Sequence, residues 1–235
     1  MPSNPISLDG KFVPEKPLDT QSAAFFEQVS GMLDGRPKDP AVVEAVLNGW
    51  DGMLEKIAGG LYRISSMLLG EGEEAIGLIE DIVAHFDLQA CRDHNEARHL
   101  SRLLLAADAI SVLRERDSAM NSSSFAAPSD DSGPASCIED DDLSAAGVTP
   151  DELEQMISGP DAHRLRDWLE GLPVSLRVVF VLRAVAGLSS AEIANLLAEH
   201  GGPAAANWAP DAVRSSFRQA LCSLASQLIH ATATK

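Results

Sequence analysis

Hydrogen-bonding side chains recur at helical spacing near the carboxyl end of the chain. Arg214 and Arg218 are four residues apart. Each is followed by a further polar residue, Ser215 and Gln219. Because residues four apart share one face of a helix, these side chains predict a polar stripe. Arginine and glutamine can each make paired hydrogen bonds to a base edge, so the stripe is typical of a helix that binds DNA in the major groove. The other interpretation is an ordinary solvated helix face.

The same segment carries an apolar stripe that would hold the polar face outward. Pro210 and Asp211 suit the first turn of a helix, and apolar positions then repeat every three or four residues. The stripe consists of Val213, Phe217, Leu221, Leu224 and Leu228. We therefore predict a C-terminal helix with Phe217 and Leu221 in the core.

Three shorter helices are predicted before this one. They cover 163–170, 174–186 and a segment that starts at Ser189, where Glu192 completes a capping box. The connection that follows, from about Glu199 to Pro210, is longer than the three or four residues of a compact helix-turn-helix. Trp208 within it could contact a partner or fix the connection to the core.

Two arginines on the predicted helix 174–186 supply further positive charge. Arg177 and Arg183 could contact DNA phosphates, which position a protein on the duplex without reading its sequence. They could instead pair with Asp167 and Glu170 on the preceding helix, and the sequence leaves both interpretations open.

Helical periodicity also extends through the first half of the chain. It covers 20–33, 39–58, 61–69, 73–86 and 95–116, and no alternating strand pattern competes. The predicted apolar face of 73–86 is Ala75, Leu78, Ile79, Ile82, Val83 and Phe86. That of 95–116 is Leu100, Leu103, Leu104, Ala107 and Ile110. Trp50 and Trp168 also occupy apolar helical positions, so we predict an all-α fold with both tryptophans in the core.

Negative charge is concentrated in the middle of the chain. The net charge is -17, yet residues 161–235 hold seven Lys/Arg against six Asp/Glu. Residues 119–160 hold nine carboxylates and no Lys or Arg, including the run 139–142. A composition rich in Ser, Ala, Pro and Asp over 118–136 is typical of a flexible linker, while Thr149, Pro150 and Glu152 predict a short helix ending near Ile157. The acidic stretch could fold back on the C-terminal arginines or act as a spacer.

These features predict four parts. Residues 1–40 form an N-terminal extension with one helix, 41–117 a small helical domain, 118–160 an acidic flexible linker, and 161–235 a helix-turn-helix domain. The expected architecture is therefore all-α, with two small helical domains joined by the linker.

Other functional classes are not supported by the sequence. Neither an apolar run of about 18 residues nor a secretory signal is visible, so a cytoplasmic protein without a membrane span is expected. Cys91, Cys137 and Cys222 are odd in number and widely spaced, which argues against a disulfide framework and for reduced thiols. Cys91, His94 and His99 are too few for a zinc site. Without a catalytic triad, a carboxylate pair or a phosphate-binding loop, we expect neither an enzyme nor a cofactor.

Four short motifs follow one another in the C-terminal segment. They are Leu172-Pro173, Leu182-Arg183, Glu192-Ile193-Ala194 and Val213-Arg214-Ser215. In this order they resemble region 4 of bacterial sigma factors of the extracytoplasmic-function group. The resemblance implies a helix-turn-helix that binds promoter DNA, with its recognition helix starting near Asp211.

The first half resembles region 2 of the same group. The motifs are Leu61-Tyr62-Arg63-Ile64, Leu69-Gly70, Glu73-Glu74-Ala75, Leu78-Ile79 and Leu113-Arg114. With region 4, the resemblance covers roughly 45–117 and 165–228. It implies a surface for the RNA polymerase core formed by Glu74, Gly77, Leu78, Glu80 and Asp81.

The chain departs from this family at identifiable positions. Gly77 and Glu80 stand where an aspartate and a glutamine are usual, and Ala107 and Ser111 where an asparagine and an aspartate are usual. Two functions follow as expectations. The first is a sigma-factor-like transcription initiation protein that binds RNA polymerase core and promoter DNA. The second is an interaction protein with the sigma fold, a mimic or decoy that binds an anti-sigma factor or another regulator and binds DNA weakly or not at all.

Overall fold

The structure is a computed structural model that describes residues 56–86, 91, 93–119, 125–127, 137–160 and 162–233, with side chains described as far as Ile229. All of these residues belong to one compact unit, Met53–Lys235. The predicted extension 1–40, the helix at 20–33, most of the helix at 39–58 and Trp50 lie outside the described residues.

Eight α-helices follow one another in the described part. Residues 56–69 form α1. The others are α2 (Glu73–His85), α3 (His94–Ala119), α4 (Pro150–Ser158), α5 (Ala162–Gly171), α6 (Val174–Phe180), α7 (Ser190–His200) and α8 (Pro210–Ala233). One π turn, Val181–Val185, continues α6, and Leu143–Ala146 and Pro203–Ala205 are short 3-10 helices. The described residues contain no strand, so the all-α prediction is confirmed for them.

Side-chain caps fix where several helices begin. Thr149 and Glu152 form a complete capping box at α4, and Ser189 and Glu192 form another at α7. In each box the hydroxyl accepts from one free backbone amide and the carboxylate accepts from another. Both starts were predicted from the sequence and are confirmed. Gly187, with φ at 70°, ends the helical run of α6 in a conformation that glycine adopts without strain.

The first three helices pack through aliphatic side chains. Their innermost residues include Leu61, Ile64, Leu68, Leu105 and Ile110. α1 runs unbroken across Gly59 and Gly60, so the predicted separation between 58 and 61 does not occur. On α2, Val83 is 45% exposed, and on α3 Leu100 and Leu104 are 39% and 47% exposed, so the predicted apolar faces are wrong at these positions.

The later helices pack around three aromatic side chains. Trp168 of α5 meets Phe180 of α6 edge-on at 4.9 Å between ring centroids, and Phe180 stacks on Phe217 of α8 at 6.0 Å. Trp168 Nε1 also donates a hydrogen bond to Ser223 Oγ at 3.0 Å. All three rings are buried, as is Leu221. The predicted core positions Trp168, Phe217 and Leu221 are therefore confirmed.

The two groups of helices pack together through α3 and α7. His99 Nε2 lies 2.8 Å from Glu192 Oε1, and Arg102 Nη1 donates to the Ala186 carbonyl at 2.8 Å. Because the buried residues of both groups form one continuous core, the predicted division into two domains is not confirmed. Periodicity identifies an apolar face but not the helix that covers it.

Parts of the predicted linker also belong to this core. Phe125 is 2% exposed, and its carbonyl accepts a hydrogen bond from Trp208 Nε1 at 2.8 Å, which fixes the connection before α8. Val148 and Leu153 are buried, and α4 matches the short helix predicted near 149–157. Residues 128–136 lie outside the described residues.

Cys137 and Cys222 form a disulfide between residues 85 positions apart in sequence. The expectation that the cysteines remain reduced is therefore wrong. The segment after Cys137 folds onto α8 and brings the two Cα atoms to 5.8 Å, within the range a disulfide requires. The positions of the two cysteines in the sequence do not indicate that they would be in contact.

Within the described residues, no helix combines the length and the apolar character needed to cross a membrane.

Candidate nucleic-acid interface

The polar stripe predicted from the sequence lies along α8. Ser215 and Gln219 are exposed, and Arg214 and Arg218 are partly exposed. The opposite side of α8 is buried through Val213, Phe217, Ala220, Leu221 and Leu224. The core therefore fixes the rotation of α8 about its axis, and with it the direction in which the four polar residues point.

Arg183 borders this stripe from the end of α6. Its guanidinium carbon lies 5.8 Å from the centroid of the Phe217 ring, a cation–π distance. Arg183 lies in the π turn that follows α6, and such a turn holds one more residue than a regular α-helical turn. Phe217 directly precedes Arg218 on α8, so Arg183 lies close to the part of the stripe that carries Arg218.

Backbone and side-chain oxygens of the acidic run 139–142 lie against two of these arginines. Arg218 Nη1 donates to the Glu139 carbonyl at 3.2 Å, and Arg183 Nη2 lies 3.2 Å from Asp141 Oδ2. Arg218 Nε is buried and has no hydrogen-bond partner among the described residues. Asp167 and Glu170 were the partners considered for Arg183 from the sequence, whereas the ion pair forms with Asp141.

Arg214 pairs with Asp211 in the first turn of α8. The Asp211 side chain is 88% exposed and that of Arg214 43% exposed. Exposed pairs of this kind contribute about 0–1 kcal/mol, so Arg214 can leave its partner at little cost. A guanine edge or a phosphate could therefore engage Arg214 in place of Asp211.

Arg177 occupies different surroundings. It lines a cleft with Ser66, His163 and Arg166, residues of α1 and α5. Burial lowers the pKa of Arg177, and the nearby Glu170 opposes that effect. Glu170 is one of the two partners considered from the sequence. Arg177 thus lies on a different face of the helical run from Arg183.

The second predicted surface lies on α2. Glu80 and Asp81 are exposed, and Gly77 is half-buried. Leu78 packs against the core, and Glu74 forms an ion pair with Arg116 of α3. Ile76, which the sequence analysis did not name, and Val83, which it placed on the apolar face, are 46% and 45% exposed on the same helix. α2 therefore presents carboxylates beside apolar groups.

Three features of the interface were missed from the sequence. The contacts of Glu139 and Asp141 join residues far apart in the chain, as does the Cys137–Cys222 disulfide. The one sequence signal was the absence of any Lys or Arg between 119 and 160. The residues described here include no group of His, Cys, Asp and Glu that could hold a metal ion.

Compared with known proteins, the chain matches no family model, no curated protein and no solved structure. The assignment of function therefore depends on the residues and geometry described above.

Proposed function

We propose that this chain is a sigma-factor-like transcription initiation protein that binds promoter DNA through α8 and RNA polymerase core through α2. The observation that carries the proposal is the exposed polar face of α8, which is backed by a buried apolar stripe and bordered by Arg183. The motif order of the C-terminal segment supports the same function.

The residue types on α8 suit the two kinds of contact that a DNA-binding helix makes. Arg214 and Gln219 suit base edges, because each can form two hydrogen bonds in the major groove. Ser215 suits a phosphate or a base, and Arg183 and Arg218 suit phosphates, which fix the position of the helix on the duplex. In this proposal α7 and α8 act as a helix-turn-helix with an extended connection.

The exposed side of α2 supplies a surface for a protein partner. Glu80 and Asp81 could pair with basic residues, while Ile76 and Val83 would bury apolar area on binding. This combination supports docking on a basic surface of RNA polymerase. Glu74 is held by Arg116 and would lie at the border of such an interface.

A second candidate is an interaction protein with the sigma fold. It is favoured by one observation, namely that each arginine of the DNA-binding face already contacts an acceptor within the chain. Arg214 pairs with Asp211, Arg183 with Asp141, and Arg218 with the Glu139 carbonyl. Such a protein would bind an anti-sigma factor or another regulator as a mimic or decoy and would bind DNA weakly or not at all.

Binding of the full-length chain to purified core RNA polymerase distinguishes the two functions. The transcription protein should be retained on immobilised polymerase, and reversing the charges of Glu80 and Asp81 to Lys should weaken retention. Glu199→Lys on α7 changes charge at another exposed position and should leave retention unchanged. Absence of any retention, together with stable binding to an anti-sigma factor, would establish the second candidate instead.

A further inference from the structure

The Cys137–Cys222 disulfide attaches the acidic run directly to α8. Cys222 lies four residues after Arg218, so it continues the polar face by one turn. The Cys137 backbone N–H also donates to Cys222 Sγ at 2.9 Å. We call residues 137–142 the acidic strap. Its first residue is covalently fixed beside the arginines of the proposed DNA-binding face.

The strap then runs across those arginines. Ile138 is buried, the Glu139 carbonyl accepts from Arg218, and Asp141 pairs with Arg183. At its far end Asp142 caps the 3-10 helix Leu143–Ala146 by accepting from the Ser144 N–H. Both ends of the strap are thus held, one by the disulfide and the other by a cap.

Apart from the disulfide, the strap contacts the arginines through one hydrogen bond to Arg218 and one ion pair with Arg183, and both interactions are weak. Exposed and partly exposed ion pairs contribute little on their own, and a duplex offers a dense row of competing phosphates. The disulfide favours the strap in its competition with DNA phosphates, because a covalent link keeps the strap next to the arginines at a high effective concentration.

We propose that the Cys137–Cys222 disulfide is a redox-controlled tether that keeps the acidic strap over Arg183 and Arg218, and that its reduction exposes both arginines to DNA. The regulation rests on the proposed DNA-binding function of α8. The tether itself is a property of the chain that can be measured without DNA.

Reduction proceeds by thiol–disulfide exchange with a dithiol reductant. A thiolate of the reductant attacks Cys137 Sγ, because Cys137 is exposed and Cys222 is partly buried. The S–S bond breaks, a mixed disulfide forms on Cys137, and Cys222 leaves as a thiolate that takes a proton. The second thiol of the reductant then displaces Cys137 as a thiol and leaves the reductant as its disulfide. Two electrons pass to the protein, and a disulfide oxidant reverses the reaction.

The release is confined to the strap. The residues after it remain anchored through Ala146, Val148 and Leu153, which are buried. The 3-10 helix Leu143–Ala146 also packs on α8. Reduction therefore releases the Cys137 end of the strap, so that residues 137–141 are held by the burial of Ile138 and by their weak contacts with the arginines. Asp142 keeps its cap, and neither α4 nor the core is detached.

The test compares the oxidised and reduced forms of the full-length protein. The probe is a fluorescein-labelled duplex of about 30 random base pairs at low salt, where non-specific phosphate contacts dominate binding. Reduction should tighten binding by about tenfold, because two arginines become available to phosphates. Cys137→Ser and Cys222→Ser should bind as the reduced protein does under either condition. Cys91→Ser, the same substitution outside the disulfide, should keep the full redox response.

Hydrogen–deuterium exchange of residues 137–142 separates the tether from the proposed function. Faster exchange after reduction supports the tether, and unchanged exchange overturns it whatever the DNA result. Equal DNA affinities of the two forms overturn the regulation if Arg183→Ala still weakens binding of both, because Arg183 would then reach phosphates with the disulfide intact. If no form binds the probe while exchange responds to reduction, the DNA-binding function fails and the redox-controlled tether stands.

Discussion

The guanidinium of Arg183 lies over the ring of Phe217, with 5.8 Å between the guanidinium carbon and the ring centroid. The same ring stacks on Phe180 in the core. Phe217 therefore connects the charged surface of the C-terminal helices with their buried interior. A change at this residue should affect both the stability of the fold and the position of Arg183.

Phe217→Ala should lower the free energy of unfolding by about 3–5 kcal/mol, through lost burial and the cavity left behind. Phe217 is 2% exposed, so little of the removed volume can be refilled by solvent. Urea unfolding followed by circular dichroism measures the change. Ile229→Ala, at a position 66% exposed on the same helix, should stay within about 0.5 kcal/mol of the parent. An unchanged urea midpoint for Phe217→Ala would contradict the assigned core.

Arg214→Ala should weaken binding to a selected promoter sequence by about 1–3 kcal/mol and relax the preference at one base pair. The physical reason is the loss of a side chain that can make paired hydrogen bonds to a guanine. Anisotropy titrations on the selected duplex and on single-base variants measure both effects. Arg166→Ala removes the same charge on α5 and should preserve the base preference. Uniform weakening on every duplex by Arg214→Ala would show that this residue contacts only phosphates.

Arg183→Ala should instead lower DNA affinity evenly across sequences and reduce the slope of log K against log salt by about one unit. Arg183 lies beside α8 rather than on it, which suits a phosphate contact that positions the helix. Titrations of the reduced protein over a series of salt concentrations measure the slope. A variant that loses base preference while keeping its salt slope would contradict this role.

The helices that the sequence predicts correctly have local signals at their ends. The capping boxes at Thr149 and Ser189 depend on hydrogen bonds inside one turn. Pro210 suits the first turn of α8 because it has no N–H to pair there and its φ is already helical. The buried stripe of α8 was also predicted correctly, since Phe217 and Leu221 face the core.

The faces of α3 could not be predicted in the same way. Leu100 and Leu104 are exposed, whereas smaller residues of the helix such as Ala106 and Ala109 are fully buried. α3 packs against α2 and also against α7, and small residues allow close approach of helices on both sides. Periodicity favours the largest apolar residues, so it included Leu100 and Leu104 wrongly, although Ile110, Leu103 and Ala107 of the same predicted stripe do face the core.

The contacts of the acidic strap could not be predicted from the sequence, for a related physical reason. Charge composition suggested that the stretch could fold back, but it could not select Asp141 as the partner of Arg183 or pair Cys137 with Cys222. These contacts join residues distant in sequence, and they depend on how the chain returns to α8.

Glu192→Ala should destabilise the protein by about 0.3–1.5 kcal/mol at neutral pH, because it removes half of the capping box of α7. Hydrogen bonds from Ser189, and then from His99, lower the pKa of Glu192 in the folded protein. A carboxyl whose pKa is lowered on folding stabilises the fold above its unfolded pKa of about 4.3 and loses this contribution as the pH falls through the folded value. The difference in free energy of unfolding between parent and variant should therefore shrink as the pH falls.

Urea unfolding at several pH values measures this difference, with Glu199→Ala as the control on the same helix. If the difference in free energy of unfolding between parent and variant grew as the pH fell, it would contradict a lowered pKa of Glu192 in the folded protein.

Replacing the four carboxylates of the acidic strap by serine should tighten DNA binding at low salt. The variant changes Glu139, Asp140, Asp141 and Asp142. Serine at position 142 can still cap the 3-10 helix, so the local fold should persist. Each exposed pair contributes about 0–1 kcal/mol, which limits the gain to a modest factor. Arg218 also keeps its contact, because that contact is made by the backbone carbonyl of residue 139.

The salt dependence of this gain identifies its cause. Exposed charges are screened over about 8–10 Å near physiological ionic strength, so the advantage of the serine variant should fade as salt rises. The matched control removes the same number of carboxylates at exposed positions on other helices: Asp108, Glu115, Asp167 and Glu199. If the gain came from net charge alone, the control would tighten binding as much as the strap variant does. A larger gain for the strap variant, lost at high salt, assigns the effect to the carboxylates of the strap, of which Asp141 pairs with Arg183. Equal affinities of parent and strap variant at low salt would reduce the strap to a spacer.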